Sequence, residues 1–155
     1  MQSEQVGEAI GGAAEAVLET MFFTMIEGEL DPRAIPDGPV VQASLSFSGE
    51  WRGKFDLKIS QTAARAIAEN FAGAGGEDAL PDEKVGEVVC ELTNMLCGTA
   101  LSRLEGSRIF DLGPPVLVCD TADVQENAVA GWTSTTRNFD IGDGAIYLSM
   151  SVEAA

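Results

Sequence analysis

Two long stretches of the chain repeat apolar residues at helical spacing. In residues 5–26, Val6, Ile10, Ala13, Ala14, Val17, Leu18, Met21 and Met25 recur every three or four positions, which predicts a first long helix. Residues 81–106 show the same period and predict a second, opened by Pro81, Asp82 and Glu83 with their carboxylates near the positive helix end. Between them the period changes to two. "VVQASLSFSG" and "WRGKFDLKIS", joined by a tight Gly49-Glu50 connection, predict a β-hairpin. A short helix over 61–71 follows, with Ala64, Ile67, Ala68 and Phe71 inward. Further strands are predicted at 115–119, 129–136 and 145–152; in the last, Ile146, Leu148 and Met150 alternate with Tyr147, Ser149 and Ser151. Residues 27–39, with three prolines and two glycines, read as a loop, as do residues 72–81. The glycines of "AGAGG" follow no strand and precede no GK[ST], so they read as a linker, not a phosphate cradle.

Twice a long helix leads into antiparallel strands. The expected fold class is α+β: a single domain over residues 1–155, two-layer, with two long helices packed on an antiparallel β-sheet and a loose internal duplication.

Composition narrows the chemistry. Nine basic residues against 25 acidic ones give a net charge of -16, which argues against nucleic acid or an anionic membrane surface as a partner. No apolar run reaches the roughly 18 residues that span a bilayer. The start, MQSEQVGEAI, lacks the basic region of a signal peptide, so a cytoplasmic location is expected. The chain holds no histidine, which removes serine–histidine and cysteine–histidine triads and most zinc catalysis. Cys90, Cys97 and Cys119 form no CxxC pair; Cys90 and Cys97 read as small core residues.

The second long helix is apolar over most of its circumference. Taking about 100° per residue from Glu87, Glu91 falls at about 40°, Asn94 at about 340° and Gly98 at about 20°. Val88, Val89, Leu92, Met95, Leu96, Ala100 and Leu104 occupy the rest. A polar strip covering about a quarter of the wheel implies a helix flanked on both sides, with a slot that exposes Glu91 and Asn94 one turn apart. A carboxylate there can pair with a lysine of a partner, and an amide can orient a water. Gly98 removes a side chain and lets another backbone approach. The plain alternative is that these are ordinary exposed polar residues. The first helix carries a similar file, Glu8, Gly12, Glu15 and Glu19, but Phe22 stands where the amide would be. Phe22 and Phe23 are expected in the core or at a dimer contact.

"EVVCELTNMLCGTALSRLEG" followed by "DLGPPVLV" resembles the CheC/CheX/FliY family of chemotaxis phosphatases, and within it the single-site CheX pattern. Glu91 and Asn94 match the two central residues of the family motif, and Pro114 or Pro115 matches its proline. Glu87 stands where the family has Asp or Ser. "ETMF" around Glu19 and Phe22 resembles a degenerate half-site. The resemblance implies a phosphatase acting on the aspartyl phosphate of a phosphorylated CheY-like response regulator, with Asn94 aligning water, Glu91 pairing with the receiver's lysine, and Glu87 and Gly98 in support. It implies no cofactor or metal of the chain's own, Mg²⁺ being supplied by the receiver, and a homodimer through sheet edges. The alternative is a non-catalytic receiver-binding or dimerisation module of the same fold.

Overall fold

The computed structural model describes residues 3–72, 80–104, 110–118 and 131–153. Among the described residues three helices, α1 (Ser3–Met21), α2 (Gln61–Ala72) and α3 (Asp82–Leu104), lie on one seven-stranded antiparallel sheet. Its strands are β1 (Gly28–Leu30), β2 (Val40–Ser48), β3 (Gly53–Ser60), β4 (Asp111–Leu112), β5 (Val116–Leu117), β6 (Trp132–Asp140) and β7 (Ala145–Glu153). Their order is β1-β6-β7-β3-β2-β4, with β5 also pairing to β2.

The inward sheet face follows the period-two pattern. Ala43, Leu45 and Phe47 on β2 stand opposite Leu57, Phe55 and Gly53 on β3, and Phe55, Leu57 and Ile59 stand opposite Met150, Leu148 and Ile146 on β7. All are buried, and the apolar faces of α1 and α3 close the core above them. Gly53 is required there: a Cβ would overlap both the Phe47 ring and the Ser151 carbonyl oxygen.

The order of strands makes the duplication visible. α1-β1-β2-β3 and α3-β4/β5-β6-β7 are equivalent sequences of elements. In each half the two long strands pair with each other, and β3 pairs with β7 at the centre. Each half's short leading strands then cap the far edge of the other half's hairpin: β1 on β6, and β4 and β5 on β2. The two halves are thereby interlocked in one sheet.

Several boundaries differ from the sequence expectation. The first helix stops at Met21, not residue 26, because Phe23 turns into the left-handed region at φ 53°. The loop over 27–39 contains β1. The strand expected over 129–136 runs on to Asp140, while residues 129–130 lie outside the described residues, as do Cys119, residues 105–106 and residues 73–79 of the expected linker. Polar Arg137 and Asn138 belong to β6 because each has a partner. Arg137 donates to Glu29 of β1 at 2.5 and 2.6 Å and to the Gly7 carbonyl at 2.7 Å, and Asn138 donates to the Asp31 carbonyl at 3.0 Å. Gly7 and Gly11 leave room for this guanidinium under α1; a Cβ on Gly11 would lie 2.6 Å from it.

Candidate active site

The helix α3 begins on a fixed base. Pro81 accepts from the amides of Lys84 and Val85, and Arg65 of α2 donates to the Leu80 carbonyl at 2.7 Å and the Asp82 carboxylate at 2.5 Å. From there Val85, Val88, Val89, Leu92, Leu96, Ala100 and Leu101 are buried. Thr93, also buried, returns its hydroxyl to the Val89 carbonyl at 2.7 Å, which satisfies that hydroxyl inside.

Two neighbours flank the helix and leave one strip open. On one side lies α1, where Gly12 packs against the Arg103 guanidinium; a Cβ on Gly12 would lie 2.7 Å from it. On the other side lies the segment from β4 to β5. Leu117 fits over Gly86, where a Cβ would come to 2.7 Å, and Leu112 lies against Gly98. Residues 113–116, with Pro114 and Pro115, therefore run beside the intervening turns of α3. Those turns carry Glu87, Glu91 and Asn94.

The strip itself matches the wheel. Glu87 and Glu91 are exposed, and Asn94 and Gly98 are half-exposed. Lys84 reaches Glu87 at 3.2 Å, one turn away. Among the described residues Glu91 has no ion-pair partner and the Asn94 carboxamide makes no hydrogen bond. The four residues thus divide: Glu87 is engaged by its own helix, while Glu91 and Asn94 face outward with their polar atoms uncommitted. Gly98 differs from its expected part. A Cβ there would meet only Leu112 Cδ2 at 3.8 Å, an ordinary contact, and the glycine of α3 that permits a close approach is Gly86. The spacing alone could not tell the two apart, since the difference lies in where Leu117 falls.

Cys97 is buried, which pushes its thiol up to about 12, and burial also raises half-buried Cys90. Neither is a thiolate nucleophile at neutral pH. On α1, Glu8, Glu15 and Glu19 are exposed as the wheel implies, but Phe22 is fully buried and Phe23 is exposed. Of the two residues expected in the core or at a dimer contact, Phe22 lies in the core and Phe23 does not.

The strip can position a partner's group. A carboxylate and a carboxamide one turn apart on a rigid helix suit recognition of a cation and orientation of a water.

The sequence profile of the family described as chemotaxis phosphatase CheX matches residues 41–130, which include β2 from Val41, β3, α2 and all of α3. No curated protein matches the sequence. The fold is similar to that of CheX in a complex with CheY, BeF3 and magnesium from Borrelia burgdorferi, with a TM-score of 0.73, 19% identity, and 94% of this chain and 96% of that one covered. It is similar to CheX of Vibrio vulnificus, with a TM-score of 0.73, 21% identity and 99% of each chain covered. It is also similar to a CheC-like superfamily protein of a Shewanella species, with a TM-score of 0.72, 21% identity, and 97% and 98% covered. The profile match spans more than half of the sequence, over the elements that build the strip, and the chain belongs to the CheX family of chemotaxis phosphatases.

Proposed function

We propose that this chain hydrolyses the aspartyl phosphate of a CheY-like receiver by aiming water at it. Glu91 pairs with the receiver's lysine and fixes the dock. Asn94, one turn on, enters the receiver's site and orients the attacking water with its carboxamide. The acyl phosphate is already activated, and its Mg²⁺ belongs to the receiver, so the phosphatase contributes placement and needs no base of its own. Glu87, held by Lys84, and Gly98 shape the strip around these two.

The observation that carries the reading is the uncommitted state of Glu91 and Asn94 on a strip that is otherwise walled by α1, the β4–β5 segment and the sheet. Support also comes from the Borrelia burgdorferi relative, whose structure pairs CheX with CheY in the presence of BeF3 and magnesium. No helix among the described residues is long and apolar enough to cross a membrane. A cytoplasmic site of action is part of the proposal, since that is where receivers are phosphorylated.

The test is release of inorganic phosphate from a CheY-type receiver labelled with acetyl phosphate and Mg²⁺. Asn94→Ala is expected to lower kcat by about a hundred-fold or more, the scale of a lost positioning group. Glu91→Ala is expected to act mainly on KM. Equal phosphate lifetimes with wild type and Asn94→Ala would refute the catalytic reading and leave a receiver-binding module.

A further inference from the structure

The end of α1 carries an apolar cluster that the fold does not use. Phe22 turns inward and stacks on Phe71, with ring centroids 4.9 Å apart. Its neighbours do the opposite: Met21, Phe23 and Met25 are 43%, 73% and 66% exposed. Phe23 also sits at φ 53°, in the left-handed region that bulky side chains avoid. The Thr24 amide donates to the Leu18 carbonyl at 2.9 Å and closes the helix, and the Thr24 hydroxyl donates to the Phe22 carbonyl at 3.0 Å. Glycine is the usual occupant of such a helix-closing position. Here the chain accepts backbone strain and gains no burial of the ring in return, so folding energy does not account for the residue.

The cluster comes level with the proposed site along the axes of α1 and α3. α2 ties the end of α1 to the start of α3, through Phe71 on Phe22 and through Arg65 on Leu80 and Asp82. The two long helices are therefore antiparallel, with Gly12 against Arg103 near the far end. Nine residues beyond Gly12, about 13 Å of helix, Met21 comes level with the turns of α3 that hold Glu91 and Asn94. Exposed Glu19 precedes the cluster and exposed Glu27 follows it. α1 carries four glutamates and no basic residue.

We infer that Met21, Phe23 and Met25 are the apolar anchor on which the receiver docks, and that they select receivers presenting an apolar side chain ringed by lysine or arginine next to the phosphorylated aspartate. This rests on the phosphatase reading above. Methionine and aromatic side chains are favoured in the desolvated centre of an interface, and the acidic rim complements a basic ring.

Phe23→Gly tests the inference cleanly, because glycine relieves the strained backbone while removing the ring. Met25→Ser probes the same surface at an unstrained position. With the acetyl-phosphate-labelled CheY-type receiver, both variants are expected to raise KM about ten-fold, the size of a truncated anchor residue. The loss falls on KM, whereas that of Asn94→Ala falls on kcat. Phe23→Gly is expected to melt at the same temperature as wild type or higher. Unchanged KM in both variants, with Asn94→Ala still inactive, would overturn the anchor and leave the phosphatase reading standing. A lowered melting temperature in Phe23→Gly would make the ring structural. Conversion of a dimer to a monomer by these variants, without a change in KM, would assign the patch to a second copy of the chain. No effect of Asn94→Ala would remove the reading beneath, and the anchor with it.

Discussion

Glu91 and Asn94 differ from Glu87 by what they do not touch. Glu87, on the same strip, spends its carboxylate on Lys84. Asn94 is half-exposed and makes no hydrogen bond among the described residues, so Asn94→Ala should change folding stability by less than about 0.5 kcal/mol in urea denaturation. A larger loss would mean that the amide holds the fold. A second residue-scale expectation concerns Glu29. The hydrogen bond from Arg137 holds its carboxyl below the ordinary value. A lowered folded value means the tie contributes fully above the unfolded pKa, about 4.3, and is lost as pH falls through the lower folded one. The melting temperature of the wild type should therefore converge on that of Glu29→Gln below about pH 4, and exceed it near neutrality. A gap that is the same at all pH values would show that the pair does not act through ionisation. The strip was legible in the sequence because 100° periodicity needs no tertiary knowledge. The left-handed turn at Phe23 was not, since a phenylalanine gives no local signal for it.

At the scale of elements, the sheet depends on close contacts that one methyl group would break. Gly53→Ala should destabilise the protein by about 1–3 kcal/mol, because the Phe47 ring and the Ser151 backbone cannot both yield. Denaturant unfolding measures it, and a neutral result would show that β3 can shift against β7. The long helices, the first hairpin and the last strand were readable because their patterns extend over eight residues or more. β1 and β4 were not, being three and two residues long. Alternation cannot be recognised over so few positions, and both exist only through pairing with distant strands. β6 was cut short in the reading at Thr136 because Arg137 and Asn138 look like a loop until Glu29 and the Asp31 carbonyl are placed beside them. Pro114 or Pro115 carried the family pattern, but their place beside α3 follows from Leu112 on Gly98 and Leu117 on Gly86, which no spacing rule supplies.

At the scale of the molecule, the two halves of an interlocked duplication carry different strips. α3 retains the acid and the amide, while α1 retains its glutamates and ends in Phe22, buried, and Phe23, exposed. The net charge of -16 fits a partner with a basic surface and gives the encounter a long-range pull. The central claim is narrower: that the carboxamide of Asn94, by orienting water, sets the rate of dephosphorylation. The most direct test is a single-turnover decay of receiver aspartyl phosphate with the phosphatase in saturating excess, which removes docking from the rate. The account predicts that Asn94→Ala slows this decay to nearly that of the receiver alone. Decay as fast as with the wild type would contradict it.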